Sequence, residues 1–174
     1  MTLLTATQLK HILPLAGPRA DSLCTPLNAA MAEFGISTPA RQAAFIAQVA
    51  HESGQLRYVR ELASGAAYEG RADLGNTEPG DGIRFKGRGL LQLTGRANYR
   101  ACGAALGLDL TSHPELLEQP VPACRSAGWF WKTRGLNEFA DAGDQVRITR
   151  RINGGTNGLA ERLAYFDIAR KVIV

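Results

Sequence analysis

Two glutamates, Glu52 and Glu61, stand nine positions apart in the middle of the chain. Cleavage of a glycosidic bond needs such a pair. One carboxyl holds a proton for the leaving oxygen, and one ionised carboxylate handles water or the anomeric carbon. Glu52 follows a helical pattern that Thr38 can cap and Pro39 can open, with Ala43, Phe45, Ile46, Val49 and Ala50 as its apolar stripe. Gly54 can take the left-handed conformation that ends helices, so Glu52 falls in the last turn. Negative charge is disfavoured there by roughly 0.3–1 kcal/mol. A carboxylate placed for stability is out of place at that end, whereas a proton-holding acid is not. Glu61 lies near Arg57 and Arg60, and cationic neighbours suit an ionised partner. Glu69, Asp73, Glu78 and Asp81 are rivals for that second role.

Other chemistries fail on spacing. His51-Glu52-Ser53-Gly54-Gln55 has glutamine where a zinc-protease helix needs its second histidine. His11 and His113 are isolated, so no metal site and no cofactor is expected. Gly87-Arg88-Gly89-Leu90-Leu91-Gln92 lacks the third glycine of a dinucleotide loop. The cysteines, Cys24, Cys102 and Cys124, form no C-x-x-C pair. They read as buried small hydrophobes, with a Cys102–Cys124 bridge as the alternative.

The elements that position the pair are mostly helical. Short helices are predicted over Gln8–Leu13 and Pro114–Glu118, and longer ones over Ala20–Phe34, Gly95–Leu106 and Val121–Thr133. Pro26 lies inside Ala20–Phe34, with two segments meeting at Thr25-Pro26 as the alternative to one helix. Thr94 is placed to cap the Gly95–Leu106 helix. Asp144 caps a segment to Ile152, and Thr156 or Asn157 opens the last helix, with Leu159, Leu163, Phe166 and Ala169 or Arg170 facing inward. Leu56–Leu62 alternates and reads as a strand. Residues 64–89 form a long glycine-rich passage, the kind of loop that is functional when it is ordered.

In bulk, 174 residues with 45% hydrophobic and 21% charged side chains suit a single domain over 1–174 without an appended binding module. No run of eighteen apolar residues exists, so stable membrane insertion is not expected. Met1–Lys10 lacks a basic leader with a long apolar core, so no secretory signal is expected. A net charge of +4 favours a polyanionic partner, and the scattered basic residues speak against nucleic acid.

Phe45–Gly54, Arg60-Glu61-Leu62, Gly87–Tyr99 and Ile152-Asn153-Gly154-Gly155 together resemble glycoside hydrolase family 19, in order over roughly residues 38–165. That family includes plant-type chitinases and phage endolysins. Tyr68-Glu69-Gly70-Arg71 and the glycine-rich insert resemble the endolysin branch most closely. The resemblance implies a mainly α, lysozyme-like domain with a small β element beside the cleft, and an inverting mechanism. It implies Glu52 as general acid, Glu61 as general base and Thr94 as the hydroxyl that helps hold the water. Gln92, Asn98, Asn153, Arg162 and Tyr68 are the implied substrate contacts. Gln92 and Asn98 read equally well as buried amides, and Arg162, with Arg170 and Lys171, as a solvated face. Arg88 is expected to brace the loop or pair with Glu61. The expected substrate is the peptidoglycan glycan strand, with chitin or non-catalytic wall binding as alternatives. A monomer is expected, held in a host bacterial cytoplasm until a holin pore releases it to the wall.

Overall fold

A computed structural model of the chain describes residues 3–174, and the opening Met1-Thr2 of the leader comparison lies outside them. The architecture is mainly helical. Helix α1 (Ala6–Ile12) opens on Thr5, whose hydroxyl accepts from the Gln8 backbone while the Gln8 side chain returns to the Thr5 backbone. Helix α2 (Pro18–Glu33) runs unbroken through Pro26, which decides for one helix over two segments. Pro26 lies on the ninth position of a sixteen-residue helix that keeps Leu23, Cys24, Leu27, Ala30 and Met31 buried, and this packing outweighs the lost backbone bond.

Helix α3 (Pro39–Glu52) is the centre of the molecule. Thr38 caps it by accepting from Arg41, and every side chain from Gln42 to Ala50 is buried. The sequence pattern indicated a stripe; the structure buries the whole circumference, because α3 packs on α7 (Leu136–Asp141) and most extensively on α9 (Leu159–Val172). Ala43, Ala44, Ala47 and Ala50 allow these neighbours to approach closely. Phe45 meets Trp131 edge-to-face, with ring centroids 5.4 Å apart. Trp131 belongs to α6 (Pro120–Thr133), which packs along α2; its neighbour Trp129 is partly buried.

Past Glu52, the predicted strand Leu56–Leu62 is replaced by a tight turn. Gln55 and Leu56 adopt positive φ values of 61° and 68° directly after Gly54. Such backbone costs on the order of 1–3 kcal/mol per residue and persists only where its surroundings hold it. Here the Gln55 amide bonds the Leu15 backbone at 2.8 Å and the Tyr165 hydroxyl at 2.9 Å, and Leu56 is fully buried. The alternation was misleading because Leu56 is core while Leu62 is 82% exposed. The β element shrinks to isolated bridges, Arg60 to Arg88 and Arg88 to Leu93.

The glycine-rich passage is ordered by short turns, Ala66–Tyr68 and Ala72–Leu74, and by α4 (Asp81–Arg84). Helix α5 (Arg96–Leu106) begins after Gly95, so Thr94 is not its cap; the Thr94 hydroxyl instead donates to the Gln92 carbonyl at 3.0 Å. Helix α7 went unpredicted, being six residues between the stop at Gly135 and the cap at Asp144. Asp144 caps α8 (Gln145–Asn153) by accepting from Arg147. Helix α9 starts at Leu159 behind Gly158 and turns Arg162 and Ala169 inward, while Leu163 is 38% exposed. All three cysteines are free and buried, and burial pushes the Cys102 and Cys124 thiols up to about 12. Among the described residues no helix is long and apolar enough to cross a membrane.

Candidate active site

Glu52 ends α3 with its side chain 18% exposed, and it is ion-paired. Arg162 of α9, itself 2% exposed, donates to Glu52 Oε1 at 2.5 Å. The same guanidinium donates to Gln48 Oε1 at 2.5 Å and to the Asn157 carbonyl at 3.2 Å. Gln48 lies one helical turn before Glu52, so both acceptors sit on one face of α3. Arg162 therefore belongs neither to a solvated face nor to the groups free to reach a sugar: its hydrogen bonds go to protein. Helix α9 can approach this closely because Gly158 precedes it. A Cβ at Gly158 would lie 2.1 Å from the His51 ring, and its φ of 70° also favours glycine. His51 in turn pairs with Glu161 at 2.5 Å, fastening the last turn of α3 to the first of α9 a second time.

Glu61 is held differently. The expected cations turn elsewhere: Arg57 donates to the Gly54 carbonyl and Arg60 faces Glu118 at 3.7 Å. Arg88 also leaves Glu61 alone. It pairs with Glu118 at 2.9 Å and donates to the Arg84 carbonyl, which makes it the brace of its loop. The Glu61 carboxylate instead takes one uncharged donor on each oxygen, the Tyr68 hydroxyl on Oε1 and the Gly87 N–H on Oε2, both at 3.1 Å. Burial first, and the Glu61 carboxylate second, push the Tyr68 phenol upward, so Tyr68 keeps the proton it donates. The Glu61 backbone is tied to the same strip of chain, its N–H donating to the Gly87 carbonyl at 2.9 Å.

The remaining predicted contacts fall in two groups. Gln92 stands beside Glu61, since a Cβ at Gly87 would lie 2.7 Å from Gln92 Oε1 and 3.2 Å from Glu61 Oε2, and Thr94 follows it, with its hydroxyl on the Gln92 carbonyl. Gln92 Nε2 donates to the Gly89 carbonyl, and Asn98 Nδ2 to the Thr94 carbonyl at 2.7 Å. Each thus has one end on backbone while remaining partly exposed. Asn153 lies on the Glu52 side, where Nδ2 donates to the same Asn157 carbonyl that Arg162 uses. Tyr68, expected to touch substrate, binds Glu61. Gln48 and Asn76 escaped the sequence reading; Gln48 was recoverable from its i, i+4 relation to Glu52, whereas nothing local marks Asn76. Among the described residues no three histidine, cysteine or carboxylate side chains are grouped as metal ligands.

A helical domain with a carboxylate at the foot of its central helix and a second beside a glycine-rich loop has the pair of groups that glycoside hydrolysis requires. Residues 29–173 match the profile of glycoside hydrolase family 19, described as chitinase class I, and the chain belongs to that family of glycoside hydrolases. A glycosyl hydrolase family 19 domain-containing protein of Haemophilus influenzae is 32% identical over 78% of this chain and 82% of its own length. Endochitinase CHI of Arabidopsis thaliana is 36% identical over 77% of this chain, which spans 52% of that protein. The crystal structure of chitinase C from Streptomyces griseus superimposes with a TM-score of 0.81 at 23% identity, covering 98% of this chain and 92% of the other. The class IV chitinase of Zea mays gives a TM-score of 0.65 over 99% of this chain and 82% of the other.

Proposed function

We propose that this glycoside hydrolase cleaves β-1,4-linked N-acetylglucosamine chains, as a chitinase does, by inversion. Glu52 protonates the leaving oxygen, and Glu61 deprotonates a water that attacks from the opposite face with help from Thr94. The observation that carries this reading is that the family match spans both glutamates, one at the foot of α3 and one beside the Gly87 backbone. Glu61 is pinned by two uncharged donors, the Tyr68 hydroxyl and the Gly87 N–H, one on each oxygen. Glu52 is coupled to a buried guanidinium, which can stabilise the carboxylate left once its proton has passed to the leaving group. An inverting reaction asks for a separation of about 6.5–9.5 Å between the two carboxyls, room for one water. Chitin is favoured over peptidoglycan because several similar proteins, from Arabidopsis, rice and Streptomyces, are named chitinases.

Peptidoglycan is the second reading, and one surface favours it. Arg147, Arg150 and Arg151 line a hollow of about 330 Å³ with Phe139, and Arg151 also lines a neighbouring hollow of about 440 Å³ with Arg134. Such a cationic face suits an acidic wall polymer.

The deciding experiment compares release of reducing ends from chitin oligosaccharides and from purified peptidoglycan, using the wild type, Glu52→Gln and Glu61→Gln. The proposal expects turnover of chitin oligosaccharides, an initial product of inverted anomeric configuration by proton NMR, and a loss of about 10²–10⁴-fold in each variant. Turnover of peptidoglycan alone transfers the assignment to the second reading. Undiminished turnover by both variants removes the mechanism.

A further inference from the structure

We propose that Asn76 is a positioning residue for the hydrolytic base, fixing through Tyr68 the hydrogen bond that orients the Glu61 carboxylate. This inference rests on Glu61 being that base.

Two directional bonds, one per oxygen, set the plane of the Glu61 carboxylate. The Gly87 donor comes from backbone that pairs directly with the Glu61 backbone, so its position is secured locally. Tyr68 is tied within its own short turn, its N–H donating to the Gly65 carbonyl at 2.9 Å and its carbonyl accepting the Arg71 N–H at 3.3 Å, with no bond to the Glu61 backbone. It ends a single turn, Ala66–Tyr68, in a passage whose further elements, Ala72–Leu74 and α4, are as short. Something must hold the phenol in place from below.

Asn76 is fully buried and spends both ends of its amide on that task. Its Nδ2 donates to the Tyr68 carbonyl at 2.9 Å, and its Oδ1 accepts the Arg96 N–H at 2.8 Å. Arg96 is the first residue of α5, so the route runs from a regular helix, through one amide, to the residue that touches Glu61. The Arg96 side chain clamps the far side of the loop. It donates to both oxygens of Asp81, which is 1% exposed, at 2.7 and 2.5 Å, and to Glu78 at 2.7 Å. The Glu69 carboxylate, next to Tyr68, accepts the Gly80 and Gly82 N–H groups at 2.7 and 2.8 Å, closing the loop on itself. A buried amide bridging two backbones satisfies groups that the irregular loop would otherwise bury unpaired. Its placement directly beneath Tyr68 gives that satisfaction a catalytic consequence, because small displacements of a base are magnified in the rate.

The test uses the full chain and a chitin oligosaccharide of defined length, measuring kcat and KM separately alongside thermal unfolding. Tyr68→Phe keeps the ring and removes the donor; Asn76→Asp keeps the acceptor for Arg96 and removes the donor to Tyr68. Each is expected to lower kcat by about 10–100-fold with KM within about twofold. The double variant is expected to be no slower than the slower single one, since the two residues act in series. A raised KM with unchanged kcat in Tyr68→Phe would make Tyr68 a sugar contact and overturn the inference. Multiplying losses in the double variant would reduce Asn76 to a structural role and overturn it too. Should Asn76→Asp fail to fold, Asn76→Ala takes its place in the same measurements, and an unchanged kcat there overturns the inference. Glu61→Gln separates the two levels. If it is inactive while Tyr68→Phe turns over normally, the inference alone falls; if it is fully active, the base assignment falls and takes the inference with it.

Discussion

Replacing Arg162 by methionine removes the cation that joins α9 to the end of α3. Three donated bonds disappear, to Glu52, Gln48 and the Asn157 carbonyl. Gln48 is fully buried, so its Oε1 is left without a donor at a cost of about 1–3 kcal/mol. Breaking a buried ion pair by deleting one partner costs about 3–5 kcal/mol. The two costs overlap, since both follow from the one missing guanidinium, and the Glu52 side chain, 18% exposed, can recover some hydration, so the net loss lies at the lower end of the ion-pair range, about 3 kcal/mol. With a urea dependence of about 2 kcal/mol/M, that is a fall of about 1.5 M in the unfolding midpoint at unchanged slope. Urea titration followed by circular dichroism measures it, with Arg162→Met/Glu52→Gln as the control. The double variant is expected to regain part of the loss, since no uncompensated charge remains. A single variant within about 0.5 kcal/mol of wild type would refute the claim that this guanidinium holds the helices together.

Three further perturbations test other parts of the site. Arg96 holds the Asp81 carboxyl below the usual aspartate range, so the pair stabilises fully above the unfolded value of about 3.9 and is lost as pH falls through the lower folded value; the stability gap between wild type and Asp81→Asn is expected to close below about pH 4 in urea midpoints taken from pH 2 to 7. Gly87→Ala would press a methyl 2.7 Å from Gln92 Oε1 and 3.2 Å from Glu61 Oε2, and is expected to lower kcat by at least about tenfold for about 1–3 kcal/mol of stability, read by kinetics and thermal unfolding. Arg150→Glu/Arg151→Glu is expected to weaken sedimentation with an anionic wall polymer at low salt while leaving turnover of a short neutral oligosaccharide unchanged.

The helical periods, the caps at Thr38 and Asp144, and the stop at Gly54 were written locally, and for that reason the placement of Glu52 at the end of a core helix was legible from the chain alone. Local signals could equally mislead. The alternation of Leu56–Leu62 had the period of a strand, yet Gln55 and Leu56 are turned left-handed by partners more than a hundred residues away in one case and by burial in the other. Thr94 and Pro26 likewise had the residue types of a cap and a break, and packing assigned them otherwise. The motif pattern indicated the family, because the residue types and their order suffice for that. Which cation meets which carboxylate did not follow from sequence distance. Arg57 and Arg60 are close in the chain to Glu61 and bond elsewhere, whereas Arg162 reaches Glu52 across 110 positions, and Asn76 links Tyr68 to α5 across a loop without a period to read. Such pairings are decided by where the helices pack, since a charge or an amide taken out of water must find its partner among the groups the fold brings within about 3 Å of it.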